Sequence, residues 1–124
     1  MSGDIINVLL TLRSQVKIYH WQTMSYARHK ATDDLVDSLD GNIDKFVEVY
    51  MGKYGPPRFT VRNGKFAVHD SEDKRAASLL KSGVAWLTRD LPKYLNKRDD
   101  TDLLNIRDEI LGDLNQALFL FRLR

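Results

Sequence analysis

Between Tyr26 and Tyr54 the chain runs without a proline, and then Gly55-Pro56-Pro57 stops it. Inside that span Leu35, Leu39, Ile43, Phe46 and Tyr50 recur at three- and four-residue steps, the period of one helix face. Val36, Val47 and Met51 widen the stripe, so more than one partner can pack on it. The break is firm because proline has no N–H to donate and pushes the residue before it out of the helical region. A long helix over 26–54 therefore dominates the fold.

The other segments fit around it. Residues 4–23 carry Ile5, Val8, Leu9, Leu12, Val16 and Tyr19 at helical steps, with Asp4 placed to favour the helix dipole. Ser25 is a candidate cap for the long helix. A third helix is predicted over 71–97, capped by Asp70 or Ser71 and kinked or restarted at Pro92. A fourth over 102–121 carries Leu103, Ile106, Ile110, Leu114, Leu118 and Phe121. Between the second and third, Phe59 and Val61 alternate with polar residues, as do Phe66 and Val68, on either side of Asn63-Gly64. That pattern predicts a β-hairpin over 58–68. The expected architecture is all-α: one domain, residues 1–124, forming an antiparallel four-helix bundle with a small hairpin between helices two and three.

Composition narrows the function classes. With no cysteine, disulfides, thiolate zinc sites and iron–sulfur clusters are excluded. No apolar run approaches a bilayer span, and MSGD has no signal-peptide pattern, so no membrane partner is expected and the place is the cytoplasm, or a virion if a virus encodes the chain. The formal charge of +2 is spread along the chain, which does not predict DNA as a partner. Neither a nucleophile–base triad nor a phosphate-binding glycine loop is visible.

The chemistry-bearing residues gather in the first half of the chain. His29 and Asp33 are four apart, as are Asp44 and Glu48, and eleven residues separate the two aspartates, close to three turns. All four share one face of the long helix. Such a face is either a solvated flank or a metal site, and mixed carboxylate and imidazole donors suit iron, manganese or zinc. Along the axis the two pairs are roughly 16 Å apart, too far for one ion. An antiparallel copy of the same helix, related by a two-fold crossing near Ser38 and Leu39, brings the pairs together and makes two identical sites. Small Ser38 and Gly41 favour close approach there, and His20, late in the first helix, is placed to join. Asp37 and Asp40 read as surface acids, His69 as a loop histidine, and Phe119 and Phe121 as core or interface.

The pattern resembles the ferroxidase region of Dps-type mini-ferritins. His20-Trp21 matches their His-Trp pair late in the first helix, His29 and Asp33 their His-x3-Asp pair, and Asp44 and Glu48 their Asp-x3-Glu pair. The likeness covers roughly residues 5 to 54. It implies a ferritin-like bundle with His20, His29, Asp33, Asp44 and Glu48 as metal ligands and Trp21 packed beside them. It also implies iron as the metal, Fe(II) oxidation by peroxide or oxygen, a homodimer through helix two, and a shell of up to twelve subunits. The competing expectation is a non-enzymatic assembly subunit, such as a minor virion or capsid component. That subunit would keep the bundle and dock a partner through residues 58–68.

Overall fold

The computed structural model describes residues 2–123. Helices α1 (Ser2–Gln22) and α2 (Tyr26–Tyr54) are joined by a short turn. Ser25 caps α2, its side chain accepting from the Arg28 N–H at 3.2 Å. At the far end Gly55 takes φ +92°, a conformation strained for any side chain, and its N–H closes on the Met51 carbonyl at 2.8 Å.

The third helical segment is more broken than its apolar pattern suggests. A 3-10 turn over Asp73–Arg75 leads into α3 (Ala76–Ala85), followed by a π turn over Trp86–Asp90 and a 3-10 turn over Leu91–Tyr94. Pro92 is the cause: it supplies no N–H and crowds the carbonyl one turn back, so the ladder widens and the Leu91 N–H reaches Trp86. Arg107 donates to the Leu87 carbonyl in that stretch at 3.0 Å. Asp70 and Ser71 do not cap this segment. Their side chains instead accept from Gln22 and Gln15 of α1. The last helix, α4, spans Thr101–Leu120.

The four helices form a bundle in the order α1, α2, α4, α3 around its axis, with every neighbour antiparallel. Lys53 and Tyr54 at the end of α2 meet Asp102 and Asp100 at the start of α4. At the opposite end Arg28 donates to the Phe121 carbonyl, and Tyr19 and Thr23 donate to Asp73, just ahead of α3. It follows that α2 and α3 point the same way from diagonal corners. The chain must return the full length of the bundle between them. The core is built from most of the expected stripes, with Leu9, Val16, Leu39, Leu87, Leu103, Ile110 and Leu114 fully buried; Leu91 joins them, while Met51 is exposed and Val8, Val47 and Leu118 are half-buried. Among the described residues no buried side-chain polar atom lacks a partner, and no helix is long and apolar enough to cross a membrane.

The expected β-hairpin over 58–68 is absent; no residue of that segment forms a strand. A turn does form there, with the Gly64 N–H on the Thr60 carbonyl at 2.8 Å and the Thr60 N–H on Asn63 Oδ1 at 2.7 Å. However, neither Asn63 nor Gly64 takes the positive φ that a two-residue hairpin turn needs, so the flanks do not pair. The segment is an extended crossover laid along α1. Asn7 donates to the carbonyls of Asn63 and Lys65, Asn63 donates to Asp4, and Gln15 exchanges two hydrogen bonds with the His69 backbone. Close contact is possible because residue 3 is glycine: a Cβ there would lie 2.1 Å from the Arg58 carbonyl oxygen.

Candidate metal centre

The α1–α2 turn brings His20 and His29 face to face. Their rings stack with centroids 3.9 Å apart and planes 19° from parallel. Each ring is tied to the other residue's backbone: His20 Nδ1 lies 2.9 Å from the His29 carbonyl, and His29 Nδ1 lies 2.9 Å from the His20 carbonyl. A carbonyl oxygen can only accept, so both Nδ1 atoms carry the proton. In each neutral imidazole the lone pair is therefore on Nε2. Thr32, fully buried, strengthens the arrangement. Its hydroxyl donates to the Arg28 carbonyl at 2.7 Å, and its oxygen lies 3.0 Å from His20 Nδ1.

Asp33 completes the group, with Oδ1 3.9 Å from His20 Nε2. The His20 side chain is 6% exposed and the Asp33 side chain 50%, so the cluster sits at the edge of the core and opens outward through the carboxylate. The turn itself is rigidly held. Asp73 accepts from Tyr19 at 2.7 Å and from Thr23 at 2.5 Å, and Arg28 donates to the Tyr19 hydroxyl and the Asp73 carbonyl. The hydrogen bonds from Thr23 and then Tyr19 hold the Asp73 carboxyl below the usual carboxylate range.

Three of the five expected ligands thus converge: His20, His29 and Asp33. Asp44 and Glu48 lie exposed on the same outer flank of α2, farther along its axis. Among the described residues no group of three or more histidine, aspartate and glutamate side chains has metal-binding geometry within one protomer. The donor types, two imidazoles and a carboxylate, are ones that borderline or hard divalent ions accept. Trp21 is 64% exposed, with Lys17 Nζ 5.4 Å from its ring centre.

The surrounding residues refine the expectation. Asp40 is committed to Arg13 through two contacts of 2.7 and 3.2 Å, which lower its pKa and withdraw it from the acidic row. Asp37 is exposed, as its reading as a surface acid implies. His69 is exposed, with Nδ1 on the Asp70 carbonyl. Leu39 is fully buried and Ser38 turns toward α4, lining a pocket with Asp34, Asp113 and Gln116. Gly41 is the small residue on the outer flank, where an added Cβ would meet nothing within 4 Å. Thr32 and Arg13 carry no signature in the sequence that marks their parts in this region.

A family described as "Family of unknown function (DUF5856)" matches residues 20–121. An uncharacterized 14.6 kDa protein from the mobD-ri intergenic region of Enterobacteria phage T4 is 38% identical over 54 residues, which cover 44% of this chain and 42% of that protein. The match thus spans less than half the length of this curated relative. No solved structure matches significantly.

Proposed function

The chain belongs to DUF5856, a family of unknown function, and we propose that it is a Dps-like iron-binding protein of ferritin-like fold. Fe(II) is its substrate, bound between two protomers and oxidised for iron storage or for protection from peroxide. One protomer supplies His20, His29 and Asp33; the other supplies Asp44 and Glu48. Manganese or zinc would suit the same donors.

The observation that carries this reading is the reciprocal tie between the two histidines, each Nδ1 held by the other's carbonyl. Metal-binding imidazoles are commonly oriented by such a bond on the other ring nitrogen. The topology gives support of a second kind, since bundles with one long crossover include the ferritin-like folds. Carboxylates offset the charge of the ferrous ion and of its ferric product. In the balanced reaction two ferrous ions give one electron each to a peroxide, which takes up two protons and leaves as two waters. The dimer forms through α2, and a closed shell of up to twelve subunits is the larger assembly proposed.

The test is the double variant Asp44→Ala, Glu48→Ala. Both residues are exposed, so helix content by circular dichroism should be unchanged while Fe(II) oxidation, followed by ferric absorbance, is abolished. Undiminished oxidation would refute the role.

The phage T4 relative favours a second reading, a non-enzymatic assembly or virion subunit that keeps the bundle. Here the crossover is the docking element, with Phe59, Val61, Phe66 and Val68 all exposed. Replacing Phe59, Val61, Phe66 and Val68 by serine, which keeps the crossover's full length, would then abolish partner binding and leave metal binding untouched. The place of action is the cytoplasm under the first reading and the virion under the second.

A further inference from the structure

Two exposed apolar features on the α1–α2 flank have no use within one protomer. One is Trp21, 64% exposed at one end. The other is a groove of about 440 Å³ near the opposite end, lined by Ile6, Leu10, Ile43, Val47 and Phe66 and also by Asp44, Ser14 and the paired Arg13 and Asp40. Phe66 comes from the crossover and is 43% exposed, and Leu10 is 39% exposed.

We propose that Trp21 of each protomer seats in this groove of a second copy, so that the two-fold dimer is anchored by a pair of exchanged indoles. The inference rests on the two-fold arrangement proposed above for the metal site, and follows from its register. Arg13 pairs with Asp40 across α1 and α2, so Trp21 lies level with about residue 32 of α2. A two-fold that sets His29 and Asp33 against Asp44 and Glu48 is centred at about residues 38 to 39 and carries that level to about residue 45. That is the level of the groove, between Ile43 and Val47. The operation that completes the ligand set therefore also delivers the exposed indole to the exposed apolar hollow.

The chemistry of the seat agrees. An indole is an apolar body with one N–H that needs an acceptor when buried, and the Asp44 carboxylate lines the groove. Central aromatic anchors of this kind dominate interface energetics.

Sedimentation equilibrium of the metal-stripped full chain tests the seat, using Trp21→Ala and, from the other side, Phe66→Ser. Both positions are exposed or half-exposed, so folding should survive. The expected result is a wild-type dimer whose dissociation constant rises at least about 100-fold in either variant. A wild-type protein that is monomeric throughout, or a dimer indifferent to both substitutions, overturns the proposal. The iron reading fails separately: a Trp21-dependent dimer that does not oxidise Fe(II) keeps the seat and removes the ferroxidase.

Discussion

Replacing Gln15 by methionine should detach the crossover without disturbing the helices. Gln15 is 3% exposed, and its amide holds the return segment in three places. Nε2 donates to the His69 carbonyl at 2.7 Å and to the Ser71 hydroxyl at 2.6 Å, while Oε1 accepts from the His69 N–H at 3.2 Å. A net hydrogen bond is worth roughly 1 kcal/mol, so the upper limit is about 3 kcal/mol. His69 lies at the surface and can recover water, and methionine keeps the buried volume. The expected loss is therefore about 2 kcal/mol. At this chain length that corresponds to a fall in Tm of about 8 °C, or of about 1 M in the urea midpoint with an unchanged slope. A second readout localises the effect. Arg58, Arg62 and Lys65 are trypsin sites within the crossover, and cleavage there should accelerate before the helices are cut. A stability loss below about 0.5 kcal/mol, the range of ordinary surface substitutions, would refute the idea that Gln15 secures the return path.

Other substitutions probe the core, the acidic groups and the histidine pair. Leu39→Ala, at a site with 0% exposure, should cost about 3 kcal/mol in chemical denaturation through lost transfer energy and a residual cavity. Thr32→Val removes the hydroxyl beside His20 Nδ1; the fold should persist while Fe(II) affinity, measured by calorimetry, falls about 10-fold. For Asp100, burial raises the pKa, but the Asn96 N–H, the Tyr54 hydroxyl and Lys53 together outweigh it and hold the carboxyl below its ordinary value. A lowered folded-state pKa contributes stability above the unfolded value of about 4 and loses it as pH falls through the folded value. Asp100→Asn should flatten the acid limb of the stability profile there. Asp113 has the opposite sign, its pKa raised by burial despite the Asn42 hydrogen bond and further by Glu109. Its charged form is disfavoured by folding, so Asp113→Asn should raise the thermal midpoint at pH 7 and leave it unchanged at pH 2.

Local periodicity and stop signals by themselves determined α1, α2 and α4, but not the broken course of the third helical segment. Apolar residues at three- and four-residue steps in 26–54, the Ser25 cap and the Gly55-Pro56-Pro57 break are contacts between near neighbours in the chain, and α2 has the predicted limits. The shared flank of His29, Asp33, Asp44 and Glu48 is likewise a consequence of helical pitch. Tertiary structure decided what those signals could not reach. Asn63-Gly64 is a local hairpin cue, but a lone two-stranded ribbon is marginal, whereas Asn7 and Gln15 offered the same backbone fixed partners along α1 and Asp4 held the Asn63 side chain. The parallel, diagonal placement of α2 and α3 required the connecting chain to run the length of the bundle, which a hairpin cannot do. The pairing of His20 with His29 was beyond periodicity for the same reason. It depends on the angle at which two helices meet across a turn, and that angle is held by Asp73 and the Phe121 carbonyl from distant parts of the chain, both of which Arg28 reaches from the start of α2.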